Sequence, residues 1–367
     1  MAQEQAKILL TGATGFIGGT ILTHLLAPSV PPTILERIPI TCLVRGEDRV
    51  IKLRAAYGDR VHPVLYEGLD DRDATIAIAA QHNIVVNTTL GYHSASATAL
   101  IHGLARRKQE TGRDVWMIHT SGTSNLADQP ISGKWSKKTP NREFNDASDD
   151  VYAYEKAREG VSPYAQRTTE LNVVDAGLEL GVKTLVIMSP TIFGKGTGLF
   201  NTSSIQVPAY AQAVVTQGQG VVVGDGKGVW DYVHVEDLAE LYRIVVLRIL
   251  EHGGKDLPNG KKGIIFSGNG RHSWLEVAQG VTDACYEAGW IKSKDVKSVN
   301  LSEGAKILSA YMGGPLEDIV ELGLCSNSRT VSSVARSLGW KPTKGEEASK
   351  AGFRYDVGIA LQKLVDK

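Results

Sequence analysis

Two tyrosines in one short stretch are candidate proton donors, and they differ in their neighbours. In YAYEKAREGVSPYAQRT (152–168), Tyr152 is followed four residues later by Lys156, whereas Tyr164 is followed at that spacing by Thr168. A phenol has a pKa of about 10, and a nearby ammonium group makes it a better acid at neutral pH. Which tyrosine faces a substrate depends on where each lies in the fold.

A helix is predicted to begin directly before Tyr164. Ser162-Pro163 is typical of an N-cap followed by proline in the first helical position. Tyr164 would then lie in the first helical turn, whereas Tyr152 would anchor a loop before the helix. Each helical residue turns the chain by about 100°, so Arg167 is expected to point away from this position.

Three glycines separate the first predicted strand from the first predicted helix. Gly12, Gly15 and Gly18 lie in TGATGFIG, between the apolar run KILL and apolar residues at helical spacing. Glycine lets the chain turn tightly there, lets the backbone approach a pyrophosphate, and lets helix and strand pack closely. This turn, at the start of a series of strands and helices, predicts dinucleotide binding.

The same series predicts the fold class. Continuous apolar strands alternate with helices, which indicates an α/β fold with a Rossmann-type, doubly wound parallel sheet covered on both faces. After residue 195 the sequence is richer in glycine and polar residues. We expect a dinucleotide-binding domain over 1–195, joined by 229–266, and a smaller C-terminal substrate-binding lobe over 196–228 and 267–367.

These motifs resemble the extended or atypical branch of the short-chain dehydrogenase/reductase superfamily, which includes NAD-dependent epimerases and dehydratases. Members carry Thr-Gly-x-x-Gly-x-x-Gly, as in TGATGFIG. SPTIFGKG resembles their Arg-Pro-x-x-x-(Tyr/Phe)-Gly segment, with Ser189 in place of the arginine, and DYVHVEDLAELY resembles their late Val-His-Val-Asp-Asp segment. The resemblance spans residues 7–245 and implies the fold. It also implies a possible homodimer through the fourth and fifth predicted helices.

The resemblance also implies a catalytic site. Its tyrosine lies on the helix before the sixth strand, and Tyr164, 26 residues before Pro190, occupies that place. The sequence TSG ends the fifth strand where the family keeps a Ser or Thr that holds the substrate oxygen. Ser121 and Thr123 are the candidates for this hydroxyl.

Two alternatives remain open for the proton donor. The first is Tyr152 with Lys156, and in the second neither tyrosine acts. Thr168 stands where the family has its lysine, so Tyr164 lacks the expected cation unless Lys156 folds back towards it.

An arginine follows the second predicted strand. A carboxylate there would accept hydrogen bonds from the ribose hydroxyls, whereas an arginine would bind a 2′-phosphate. Arg45 therefore favours NADP(H) over NAD(H), although Glu47 or Asp48 just beyond it would suit NAD(H). The cofactor-binding residues implied by the resemblance are Gly12, Thr14, Gly15, Phe16, Ile17, Gly18, Arg45, Asp70 near the adenine, Thr88 near the nicotinamide ribose, Pro190 and Ile192.

The segment after the sixth strand indicates the kind of substrate. GLFNTSSIQVPAY is rich in apolar and small residues, which favours a fairly apolar small molecule. We therefore expect an NADP(H)-dependent oxidoreductase that moves a hydride to or from a carbonyl or a conjugated double bond. The alternatives are a non-catalytic dinucleotide-binding regulator and a sugar-nucleotide epimerase or dehydratase, which the lack of an evident basic uridine-diphosphate clamp disfavours.

The composition argues against several classes of binding partner. Forty basic and 40 acidic residues give zero formal net charge, which disfavours nucleic acid and anionic membranes as partners. Three widely spaced cysteines, Cys42, Cys285 and Cys325, predict neither a disulfide framework nor a zinc site. With no charged leader before an apolar run and no stretch as long as a membrane span, we expect a cytoplasmic protein.

Two further polar groups are expected to be structural. His234 and Asp237 belong to a segment that is mostly architectural in the resembling family. Ser273 and Glu276 have the spacing of a capping box at the start of a helix.

Overall fold

The computed structural model describes residues 6–135, 141–312 and 317–365. The first five residues of the N-terminus, on which the expectation about a leader partly rests, lie outside them. Among the described residues, no helix has both the length and the apolar character needed to cross a membrane.

Fourteen strands occur in the described residues. They are β1 (Ile8–Thr11), β2 (Ile40–Val44), β3 (Val61–Leu65), β4 (Ile84–Asn87), β5 (Trp116–Gly122), β6 (Glu143–Asn145), β7 (Lys183–Ser189), β8 (Thr191–Phe193), β9 (Gly220–Val223), β10 (Val229–His234), β11 (Ile264–Phe266), β12 (Gly270–Ser273), β13 (Val296–Val299) and β14 (Arg329–Val331).

Thirteen α-helices occur in the described residues. They are α1 (Phe16–Leu26), α2 (Glu47–Tyr57), α3 (Arg72–Ala79), α4 (Ser94–Thr111), α5 (Val151–Val161), α6 (Ala165–Leu180), α7 (Gln206–Gln217), α8 (Val235–His252), α9 (Trp274–Glu287), α10 (Leu301–Met312), α11 (Glu317–Leu324), α12 (Ser333–Ser337) and α13 (Glu346–Val365).

The main sheet has seven parallel strands in the order β11-β7-β5-β4-β1-β2-β3. Every residue of β1 and β4 is buried, as expected for central strands covered on both faces. Side chains of α1, α2 and α8 form one apolar cluster with the sheet, and side chains of α3, α4 and α6 belong to another. The prediction of an α/β, doubly wound parallel sheet is confirmed.

A further apolar cluster lies in the later part of the chain. It joins side chains of α7, α9, α10, α11 and α13 with the β9–β13 pair, and it includes Trp230 and Trp274. β12, β10 and β8 form a three-stranded sheet, and β14 pairs with β6. The exact limits of the two predicted domains stay a prediction.

The segment before Tyr164 differs from the expectation. Residues 151–161 form helix α5, which Asp150 caps by accepting a hydrogen bond from the backbone of Ala153 at 2.9 Å, so the expected loop is wrong. Ser162 ends α5, and Tyr164 is the N-cap of α6. The predicted N-cap at Ser162 is therefore wrong, because proline after it separates two helices rather than opening one.

Candidate active site

The strand order places a crevice at the carboxyl ends of β1 and β4. From β1 the chain continues to β2 and β3 on one side and then returns to β4 on the other side. Doubly wound sheets bind ligands at such a reversal of strand order. Helix α1 begins there with Gly15 as its N-cap and no side-chain cap, so its first backbone N–H groups are open to an anion.

Each of the three glycines has a different role in the structure of the turn. Gly12 has a φ of 75°, which favours glycine. A methyl group at Gly18 would lie 2.3 Å from the carbonyl oxygen of Gly12 and 2.4 Å from the hydroxyl of Thr88. At Gly15 the nearest atom would be 3.2 Å away, so this glycine mainly leaves the helix N-terminus uncovered.

Alanine substitution should separate these roles. We expect Gly18→Ala to destabilise the protein at the upper end of the roughly 1 to 3 kcal/mol typical of overpacking, because backbone must move. Gly15→Ala should cost about 1 kcal/mol or less, yet weaken dinucleotide binding. Thermal unfolding of both variants measures the loss of stability, and dinucleotide titration measures the loss of affinity. Equal stability of the two variants would contradict the assignment.

A polar network ties together the carboxyl ends of β1, β4 and β5. Asn87 accepts hydrogen bonds from the hydroxyls of Thr11 at 2.6 Å and Thr89 at 2.7 Å, and its amide nitrogen lies 3.1 Å from Nδ1 of His119. Burial lowers the pKa of His119 to about 4, so this ring is neutral at neutral pH. The hydroxyl of Thr88 donates to the Thr11 carbonyl at 2.7 Å. These bonds fix the floor of the crevice.

Arg45 directly follows β2 and is exposed. Within the residues that the structure describes, it forms no ion pair. Its charge and that of Arg49 on α2 oppose the rise in the pKa of Tyr66 that burial causes, so both guanidinium groups lie near this phenol. Two cations therefore flank the ends of β2 and β3.

Asp70 follows β3, and its side chain is 98% exposed. His93, the N-cap of α4, accepts the backbone N–H of Ser96 through Nδ1 at 3.2 Å. Its Nε2 therefore carries the proton and donates to Asp70 at 3.1 Å. Asp70 thus lies at the crevice, beside the start of α4.

The segment after β7 runs along α1. Pro190 follows β7, and Ile192 lies in β8, which pairs with β10. Farther on, the backbone of Thr197 donates to the hydroxyl of Thr20 at 3.2 Å, and that of Asn201 donates to the carbonyl of Thr14 at 3.4 Å. This segment therefore borders the glycine turn.

The hydroxyl of Tyr164 lies at the carboxyl ends of β4 and β5. It is 3.3 Å from the hydroxyl of Ser124, 3.4 Å from Oε1 of Gln166 and 3.5 Å from the hydroxyl of Tyr92. The rings of Tyr92 and Tyr164 make an edge contact at 6.1 Å. Sequence reasoning missed Ser124, Gln166 and Tyr92, although Ser124 belongs to the same hydroxyl-rich TSGTS run as the candidates.

The structure does not bring the predicted hydroxyls to Tyr164. Ser121 is buried and accepts a hydrogen bond from the amide of Asn125 at 3.2 Å. Thr123 is buried, with its hydroxyl unpaired among the described residues. Ser124 contacts the Tyr164 hydroxyl instead, and the role of Ser121 or Thr123 in holding the substrate oxygen stays a prediction.

Tyr152 and Lys156 lie elsewhere, on α5. The Tyr152 hydroxyl donates to Asp175 at 2.5 Å, and the Lys156 ammonium contacts the same carboxylate at 2.8 Å. Burial, and then the hydrogen bond to Asp175, raise the pKa of Tyr152 to about 12. Tyr152 packs in an apolar cluster with Phe144. Lys156 therefore does not supply a cation to Tyr164.

Arg167 does not point away from Tyr164 as expected. Its guanidinium lies 5.9 Å from the centre of the Tyr164 ring, and it is fully buried. However, it donates to Glu159 at 2.8 Å and to the carbonyl of Asn125 at 3.0 Å. Glu159 also accepts from the hydroxyl of Thr168. The arginine and Thr168 therefore anchor the start of α6, and neutral groups surround the Tyr164 hydroxyl.

Two carboxyl groups are buried together behind this site. Glu155 and Glu170 have no solvent exposure, and Asn125 donates to Glu170 at 2.8 Å. Burial raises the pKa of both groups, and the charge of Glu170 raises that of Glu155 further. Two negative charges in one buried site repel each other, so the pair keeps a proton at pH values where an exposed carboxyl group has lost it.

The pair makes stability depend on pH. The pKa of Glu155 is higher in the folded than in the unfolded state, so its contribution is complete below the unfolded value and is lost as pH rises through the folded value. Glu155→Gln should therefore lose less stability than the parent as pH rises above the range in which an exposed carboxyl group titrates. Denaturant unfolding at each pH measures this, with the exposed Glu251→Gln as control. Parallel curves for all three proteins would contradict it.

The two structural groups behave as expected. Asp237 accepts the backbone N–H groups of Thr343 at 3.0 Å and Lys344 at 2.9 Å, which fastens the later chain to α8. Ser273 and Glu276 form a capping box at the start of α9, which confirms that prediction.

Comparisons with known proteins agree with this geometry. The model of the NAD dependent epimerase/dehydratase family matches residues 8–257. Oxidase ucsJ from an Acremonium species is 28% identical over 356 residues, covering 92% of each chain. DesIV, a dTDP-glucose 4,6-dehydratase from Streptomyces venezuelae with NAD bound, has a TM-score of 0.62 at 13% identity, covering 97% of each chain. The UDP-glucuronic acid 4-epimerase from Bacillus cereus, in complex with UDP-glucuronic acid and NAD, has a TM-score of 0.59 at 14% identity, covering 97% of this chain and 99% of that one.

The fold, the open helix N-terminus and the family match together define a dinucleotide-dependent oxidoreductase. The chain belongs to the NAD dependent epimerase/dehydratase family, and the resemblance to extended short-chain dehydrogenases is confirmed.

Proposed function

We propose that the protein is an NADP(H)-dependent oxidoreductase that transfers a hydride to or from a carbonyl or a conjugated double bond of a small, fairly apolar molecule. The observation that carries the proposal is the position of the Tyr164 hydroxyl, at the ends of β4 and β5 beside β1 and its glycine turn. When bound, the dinucleotide supplies or accepts the hydride. Tyr164 donates or accepts the proton at the substrate oxygen.

The charges at the end of β2 support NADP(H). Arg45 and Arg49 would contact the 2′-phosphate, and Asp70 and Thr88 would lie near the adenine and the nicotinamide ribose. The open turn fits the pyrophosphate, because Thr14, Phe16 and Ile17 surround an uncapped helix N-terminus.

Apolar groups at the crevice support the substrate class. Leu90 and Tyr92, after β4, are 56% and 49% exposed, and Ile205 at the start of α7 is 74% exposed. Tyr164 packs against the apolar cluster that includes Val207 of α7. The relative described as an oxidase also favours redox chemistry on the substrate. The lobe over 196–228 and 267–367 would supply the other wall of the crevice.

A second candidate function is a dinucleotide-binding regulator without turnover. The observation that favours it is Thr168 in the place of the lysine, with Lys156 held by Asp175. A third candidate is a sugar-nucleotide epimerase or dehydratase, which the family match allows. The three cysteines are free and buried, which fits a reducing compartment such as the cytoplasm.

Cofactor titration followed by a turnover assay tests the proposal. Purified protein is titrated with NADPH and NADH, and NADPH consumption is then followed with ketones, aldehydes and enones. Turnover of any compound in this panel supports the proposal that the protein is an oxidoreductase. Tight NADPH binding without any turnover supports the regulator, and failure to bind either dinucleotide contradicts both.

A further inference from the structure

The side chain of Gln166 fills space that Gly122 leaves at the end of β5. A methyl group at Gly122 would lie 2.6 Å from Nε2 and 3.3 Å from Oε1 of Gln166. The backbone of Gly122 has a φ of −138°, which any residue adopts, so its conformation does not require glycine. Gly91, after β4, also faces the amide, with Nε2 3.6 Å from the position of an added methyl group. The amide of Gln166 therefore lies directly over the backbone of Gly122.

The two ends of the amide have different partners. Oε1 accepts a hydrogen bond from the hydroxyl of Ser124 at 2.6 Å and lies 3.4 Å from the hydroxyl of Tyr164. Nε2 donates no hydrogen bond to any residue that the structure describes. Gln166 is partly exposed, so a small molecule can reach this donor. A free N–H donor therefore lies beside the candidate proton donor.

We infer that Gln166 binds the substrate oxygen through Nε2, and that Ser124 orients the amide for this contact. The inference rests on the proposed function and names the group that replaces the missing cation. In the reducing direction, the bound dinucleotide would supply the hydride that forms a C–H bond at the carbonyl or conjugated carbon, and the π electrons would move to the oxygen. Nε2 stabilises the charge that develops there, and Tyr164 transfers its proton to form the O–H bond. Water then returns a proton to the tyrosine.

This role selects substrates whose oxygen accepts two neutral hydrogen bonds, such as ketones and enones. Gln166→Ala should lower kcat/KM about tenfold, the usual effect of one neutral hydrogen bond, and leave NADPH affinity unchanged. Cyclohexanone, benzaldehyde and 2-cyclohexen-1-one are the probes, with NADPH oxidation as the readout. Unchanged kcat/KM in this variant overturns the inference while the proposed function stands. If the parent oxidises NADPH with none of the probes, both are overturned.

A double-mutant cycle separates the amide from general packing. Gly122→Ala should displace the amide and also cost about tenfold, yet have no further effect in a Gln166→Ala background. Gly160→Ala is the matched control, because no atom lies within 4 Å of the added methyl group at this exposed position of α5. A loss from Gly122→Ala that is equal in both backgrounds overturns the inference.

The pH profile gives a readout that a purely structural role would not change. In Gln166→Glu, a carboxylate opposes the charge on the substrate oxygen, so the loss should exceed that of Gln166→Ala at neutral pH. Activity should recover as pH falls and the carboxyl group gains a proton that it can donate. The profile of Gln166→Ala should keep the shape of the parent's. A Gln166→Glu profile parallel to that of Gln166→Ala overturns the inference.

Discussion

Tyr164→Phe is expected to lower turnover about 10² to 10⁴-fold, the usual contribution of a positioned general acid. The ring remains, so the edge contact with Tyr92 and the packing against the α7 cluster are retained. NADPH affinity should therefore change little. Steady-state kinetics with a substrate from the carbonyl panel, together with NADPH titration, measure both quantities.

The matched control for this variant is Tyr152→Phe. Its hydroxyl binds Asp175, so we expect nearly full turnover and a loss of about 1 kcal/mol in stability. Lys156→Met should also remain active, because its ammonium pairs with the same carboxylate. An active Tyr164→Phe beside inactive Tyr152→Phe and Lys156→Met would move the site to α5. If all three variants turn over the substrate at the parent's rate, tyrosine chemistry is excluded.

The sheet and its glycine turn could be predicted because local patterns determine them. Central parallel strands are buried on both faces, so β1 and β4 read as continuous apolar runs. The glycines at 12 and 18 are needed for a tight turn and a close approach, and their spacing therefore marks the turn in the sequence.

Helix α5 could not be recognised in the same way. Its inward face carries Glu155 and Arg158, which are buried, whereas charged residues in a sequence usually indicate a solvated face. These side chains are accommodated only by tertiary contacts, such as the hydrogen bond of Arg158 to the carbonyl of Asn125 at 2.9 Å. Tyr164 was placed correctly at the start of α6 even though the helix begins two residues later than predicted.

The groups around the Tyr164 hydroxyl were also beyond local patterns. Ser124 and Gln166 are 42 residues apart, and they meet because α6 begins over the end of β5. The local trace of this contact in the sequence is Gly122, whose missing side chain leaves room for the amide of Gln166. A glycine alone does not reveal which side chain lies over it.

The second large expected effect concerns the cofactor. Arg45→Ala should weaken NADPH binding by about 1.5 to 3 kcal/mol, or roughly tenfold to a hundredfold, and leave NADH binding nearly unchanged. The reason is that an exposed arginine at the end of β2 has no ion pair among the described residues and is therefore available to a phosphate. Titration of both dinucleotides against both proteins measures the change.

The matched control is Arg54→Ala, since this exposed arginine lies at the far end of α2. It removes the same charge from the same helix, so a general effect of net charge would weaken NADPH binding equally in both variants. A contact to the 2′-phosphate predicts instead that only Arg45→Ala loses the preference for NADPH over NADH. It also predicts that added salt narrows the difference in affinity between NADPH and NADH in the parent.

Arg49 remains in Arg45→Ala and should keep part of the affinity for NADPH. The double variant Arg45→Ala/Arg49→Ala should therefore bind NADPH more weakly than Arg45→Ala or Arg49→Ala alone. Equal affinity of the parent for NADPH and NADH would contradict the assignment, and would leave Glu47 or Asp48, in the first turn of α2, to bind the ribose of NAD(H).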